Sequence, residues 1–81
     1  MTNPRLIKGK AMEKVAVATG FKKQSDGRWI QKHHSLPHHY LELMVDYDPN
    51  SHDYDFVVVL WTADDEYEEA MTLYAFLRVL G

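Results

Sequence analysis

The constraint that most limits this chain is a nine-residue alternation, YLELMVDYD. From Tyr40 to Asp48 it places Leu41, Leu43, Val45 and Tyr47 on one side and Tyr40, Glu42, Met44 and Asp46 on the other. A side-chain period of two is the signature of a β-strand with one face turned to a core. Asp48-Pro49-Asn50-Ser51 is dense in turn-forming residues, and the β-branched and aromatic run Tyr54 to Thr62 follows it. Together these predict a hairpin in which the second strand returns so that Trp61 lies roughly opposite Leu41. A long antiparallel pair needs something to cover its apolar side, and the rest of the chain has to supply it.

The flanking segments supply two helices and a second hairpin. Asn3-Pro4 reads as a helix N-cap followed by proline at the first helical position, and Ile7, Ala11, Val15 and Ala18 recur at helical spacing up to a stop at Gly20. Gly9 weakens the first turn, so the helix within residues 4–19 can begin as late as Lys10. Phe21 to Gln24 and Arg28 to His33 flank the turn residues Ser25-Asp26-Gly27, which predicts a short hairpin. At the other end Thr62 or Asp64 caps a helix whose first turn holds Asp64, Asp65, Glu66, Glu68 and Glu69, with an apolar stripe of Ala70, Leu73, Tyr74, Leu77 and Leu80. The predicted order is α-β-β-β-β-α. This is a single α+β domain over residues 1–81, a two-layer arrangement of an antiparallel meander sheet with both helices on one face.

Composition narrows the function. With 81 residues and 46% apolar content, the chain can build one thin core, to which two Trp, five Tyr and three Phe contribute bulk. The absence of cysteine removes disulfides, thiolate metal ligands and thiol nucleophiles. The first ten residues lack the apolar stretch of a signal peptide, and the longest strongly apolar run, Phe56 to Trp61, is far too short for a membrane span, so a cytoplasmic protein is expected. The net charge of −3 hides a strong asymmetry. Residues 1–32 carry eight Lys or Arg against two acids (+6), and residues 33–81 carry one Arg against ten acids (−9). Such polarity suits a molecule that meets a charged partner.

Four of the five histidines lie in the stretch HHSLPHHY, residues 33–40. In the meander, this connection shares one end of the sheet with Asp64 to Glu66, and His52 lies in the turn at the other end. A metal site there would draw on His33, His34, His38, His39 and the acids of 64–66, but adjacent histidines in extended chain point to opposite sides and the spacing matches no ligand motif. A pH switch would use the change in formal charge from −3 to +2 that protonating all five histidines brings. The plainest expectation is a solvated turn. No metal, cofactor or catalytic residue is therefore assigned.

Ser25, Ser35 and Ser51 lack a nucleophile setting, and the four glycines form no phosphate loop. A small ribonuclease using histidine would need a basic substrate surface in the second half, which is missing. The helix-sheet-helix order resembles double-stranded RNA-binding domains, but DDEYEE stands where that family presents lysines, so direct nucleic-acid binding through the basic N-terminal half is an alternative only. The acids suggest another role, since carboxylates can imitate a line of phosphates and occupy a basic groove on a second protein. The expectation is a non-enzymatic protein-binding module, an inhibitor or modulator. It would use Tyr40, Glu42, Met44 and Asp46 of the outward strand face and Asp64, Asp65, Glu66 and Glu69 of the acidic cap. In size and charge alone it resembles the small phage-encoded antagonists of host nucleases and defence systems. The expected partner is a protein with a basic surface rather than a membrane, and an edge strand at Phe21 to Gln24 leaves a homodimer open.

Overall fold

The computed structural model describes residues 3–48, 50 and 53–80. Within them the chain runs β1 (Asn3–Arg5), α1 (Lys10–Ala18), β2 (Lys22–Lys23), β3 (Trp29–Lys32), β4 (Tyr40–Asp48), β5 (Asp53–Trp61), β6 (Tyr67–Thr72) and α2 (Leu73–Leu80). Strands β2 to β6 form an antiparallel meander in chain order, and β1 joins the same sheet by pairing with β4. The α+β class and the meander are as the sequence implies. Of the expected turn Asp48-Pro49-Asn50-Ser51, Pro49 and Ser51 lie outside the described residues, as does His52.

The long hairpin follows its alternation. Tyr40 pairs with Trp61, Leu43 with Val58 and Asp48 with Asp53. Residues directly opposite in an antiparallel pair share a face, so Leu41, Leu43 and Val45 lie on the same side as Leu60, Val58 and Phe56. That side holds the core, where Leu41, Leu43, Val45, Val58 and Leu60 are buried together with Ile7, Ala16, Phe21, Trp29 and Phe76. Ala16 belongs to α1 and Phe76 to α2, and the Phe76 ring meets Phe21 at 6.1 Å, so both helices cover one face.

Two local expectations are corrected. Asn3-Pro4 does not cap a helix: residues 3–5 pair with β4, Arg5 opposite Val45, and Gly9 at φ 89° turns the chain before α1 begins at Lys10. The inward stripe of α1 is the buried Ala16 with the half-buried Met12, Val15 and Thr19, while Ala11 and Ala18 are exposed. Gly20, at φ 92°, closes α1 as expected. Phe21 N–H donates to the Ala16 carbonyl at 3.0 Å and Gly20 N–H to Val17 at 3.1 Å, the paired bonds of a Schellman ending.

The largest correction concerns the acidic stretch. Residues 64–69 do not open a helix. Thr62 Oγ1 accepts from the Asp64 and Glu66 amides at 3.3 and 3.1 Å, Thr62 N–H donates to the Glu66 carbonyl, and Asp65 takes φ 61°. The capping chemistry expected of Thr62 is thus spent on a hairpin turn. The chain then pairs with β5 as β6, Met71 opposite Val58 and Ala70 opposite Val59. Helix α2 starts only at Leu73, where Thr72 Oγ1 accepts the Ala75 amide at 3.0 Å. Its inward side is Phe76 with Leu73, while Tyr74 and Leu77 of the expected stripe face solvent. The reason is tertiary. Strand β5 is apolar in both directions and gains a second neighbour, which outweighs the helix preference of Glu, Ala and Met.

Candidate functional site

Among the described residues, no helix covers the second face of the sheet. On it, by register, lie Ile30 and Lys32 of β3, Tyr40, Glu42, Met44 and Asp46 of β4, Asp55, Val57, Val59 and Trp61 of β5, and Ala70 and Thr72 of β6. An antiparallel sheet with one wet face normally turns polar residues outward. Here apolar and aromatic side chains surround Glu42, acids stand at the Asp46 and Asp55 end, and Lys32 shares the Tyr40 end with the acidic turn of residues 64–66. The one-residue difference in register, Trp61 opposite Tyr40 rather than Leu41, is what brings the indole to this face instead of the core.

At the middle of the face sits Glu42, only 2% exposed. A carboxylate so placed requires a cation and further donors. Arg28, the residue after the Gly27 turn, provides the first: its Nη2 lies 2.8 Å from Glu42 Oε1. The Trp61 Nε1–H donates to the same oxygen at 3.0 Å. The guanidinium lies 5.5 Å from the Tyr40 ring centroid and 5.6 Å from that of Trp61, and the two rings are within 22° of parallel with centroids 6.4 Å apart. Tyr40 O–H donates to Asp65 Oδ1 at 2.6 Å, which anchors the acidic turn to the sheet face. The hydrogen bond to Glu42 holds the Arg28 guanidinium more firmly protonated than usual, against the cost of its partial burial. Burial and the bond to Asp65 push the Tyr40 phenol up, with Arg28 opposing them.

A register shift between Leu60 and Trp61 marks a β-bulge at the start of β6. Bulges re-aim side chains, and the Tyr67 ring here meets Trp61 edge-on at 6.4 Å and 83° while remaining 62% exposed. Arg28, Leu6, Tyr40, Met44, Trp61 and Asp65 border one shallow recess over this part of the sheet.

The expected site residues thus separate. Tyr40, Glu42, Met44 and Asp46 share the helix-free face, and Asp65 is tied to Tyr40. Glu42 is not a free acid at a rim, because the Arg28 pair and the indole consume it. Asp64 and Glu66 stand exposed in the turn, and Glu69, opposite Leu60, falls on the helix side of the exposed strand β6. Sequence reasoning missed Arg28, Trp61 and Tyr67. One signal was available: an acid at the centre of the longest apolar strand demands a buried cation, and Arg28 follows a turn that leads into the neighbouring strand.

The histidine stretch is a closed loop. His33 N–H donates to the His39 carbonyl at 3.1 Å, and His33 Nδ1 accepts the amides of Ser35 and Leu36 at 3.1 and 3.0 Å. That arrangement uses the neutral ring with its proton on Nε2. The His33 and His34 rings stack at 4.3 Å. Among the described residues no three His, Asp or Glu side chains converge as a metal would require. Also among them, no helix is long and apolar enough to cross a membrane.

Compared with protein-family models, curated proteins and solved structures, the chain matches none.

Proposed function

We propose that the chain is a non-enzymatic protein-binding module, an inhibitor or modulator, whose helix-free sheet face docks on a basic nucleic-acid-binding protein. One observation carries this: the uncovered face presents Tyr40, Met44, Val57 and Trp61 at its centre and Asp46, Asp55 and the Asp64 to Glu66 turn at its ends. Aromatic and methionine anchors inside a charged border suit a protein interface, and acids of one sign select a basic partner. The register places Asp46 directly opposite Asp55. A surface that occupies a nucleic-acid groove in this way is the device expected of an antagonist of nucleases or defence systems, of the kind phages and mobile elements encode.

The test is capture of partners from cytosolic extract on the immobilised protein, with duplex DNA or heparin as competitor. The expected partner is a basic nucleic-acid-binding protein that the competitor releases. Its capture falls with salt and is lost in the triple variant Asp64→Lys, Asp65→Lys, Glu66→Lys. Capture that resists the competitor, or that survives the triple reversal unchanged, overturns the proposal.

A further inference from the structure

We infer that β6 is a docking edge, which takes an extended segment of the partner bearing Lys or Arg as an added antiparallel or parallel strand. The inference rests on the basic-partner proposal and goes further, because it names the backbone row that would make the contact.

The path from β2 to β6 has two ends, which differ in length and charge, while the three-residue β1 lies off that path against β4. At one is β2, only Lys22–Lys23, which is short and repels a basic chain. At the other is β6, Tyr67–Thr72, which among the described residues pairs with β5 alone. Every residue of β6 except Met71 is exposed, so the strand is largely open to solvent. A strand in that position turns a row of N–H and C=O groups to solvent, which is a template for another chain. Natural edges are usually blunted with charge. Here all the charge is of one sign: five of the six residues 64–69 are acidic, and no Lys or Arg occurs between residues 33 and 77. Two copies meeting at this edge would bring acids together, whereas a basic strand would be attracted.

The geometry also indicates how a strand would lie. Beyond the bulge the regular part of β6 runs from Glu69 to Thr72, with Glu69 and Met71 on the helix side and Ala70 and Thr72 on the open side. An added strand that places Lys or Arg beside Glu69 forms an opposite-charge cross-strand pair. Its alternate residues continue the open face past Ala70, so an edge-bound segment and a face-bound surface belong to one continuous site. This is strand addition, in which main-chain bonds supply affinity and alternate side chains supply selectivity.

The experiment uses three synthetic probes: a capped hexapeptide alternating Lys and Val, its Glu and Val counterpart, and the Lys and Val peptide with every backbone amide methylated. Binding is followed by amide chemical shifts of the full chain. The expected result is that only the unmethylated basic peptide binds, with shifts concentrated in residues 67–72, and that Glu68→Lys with Glu69→Lys weakens it by about tenfold. Equal binding of the methylated peptide overturns strand addition while leaving charge recognition of a basic partner intact. Failure of the basic peptide to bind, shifts confined to other elements, or self-association through β6 seen in sedimentation also overturns the inference. Partner capture by the open face is measured separately, so the two proposals fail independently.

Discussion

At the residue scale the decisive group is Glu42. A fully buried carboxylate is costly by itself, and Arg28, with a side chain 29% exposed, and the Trp61 indole compensate it. Removing one partner is therefore worse than removing both. Arg28→Ala, leaving Glu42 buried and uncompensated, is expected to destabilise the fold by about 3 kcal/mol, whereas Arg28→Met combined with Glu42→Leu is expected to cost less than about 1 kcal/mol. Chemical denaturation of Arg28→Met, Glu42→Leu and the double variant gives the coupling directly, and additive losses would show that the pair is not coupled. His33 shows the other use of burial. Desolvation lowers its affinity for a proton, His34 and His39 reinforce the effect, and Glu68 and Glu69 oppose it. The sign follows from linkage: the unfolded chain takes up the proton near pH ~6.5 while the folded His33 resists, so stability declines as pH falls through that value. Melting temperature measured between pH 7.5 and 5.5 is expected to fall, and His33→Asn, which keeps an acceptor for the loop amides, to flatten the slope.

At the element scale, local signals located the long hairpin and the C-terminal end of α1, but neither its N-terminal cap nor the fate of residues 64–72. The alternation in β4 is self-sufficient, because any other conformation would scatter Leu41, Leu43 and Val45. Gly20 likewise acts through its own backbone. The segment EYEEAMT has no such autonomy: its residues favour a helix, and pairing with β5 makes it a strand. Ala70→Val distinguishes the two states. In a strand opposite Val59 the added β-branch is expected to stabilise by up to about 1 kcal/mol, whereas in a helix it would destabilise by roughly half that. Thermal or urea denaturation of this single variant decides the sign.

At the scale of the whole molecule, sequence alone established the α+β class, the alternating faces of β4, the division of charge between the two halves of the chain, and the absence of any cysteine chemistry. These follow from periodicity and composition, which are properties of short windows or of sums. Tertiary structure alone decided which acids are available and which are spent. Glu42 reads in the sequence as the equal of Asp46, yet only the arrival of Arg28 from the turn before β3 and Trp61 from β5 makes it the centre of a closed network. It also decided that 64–69 forms a turn and an exposed edge, and that Trp61 stands on the helix-free face. Each of these depends on pairing register, and a shift of one residue in a strand exchanges its faces at almost no local cost. Periodicity therefore determined that two faces exist, and long-range packing determined what each of them displays.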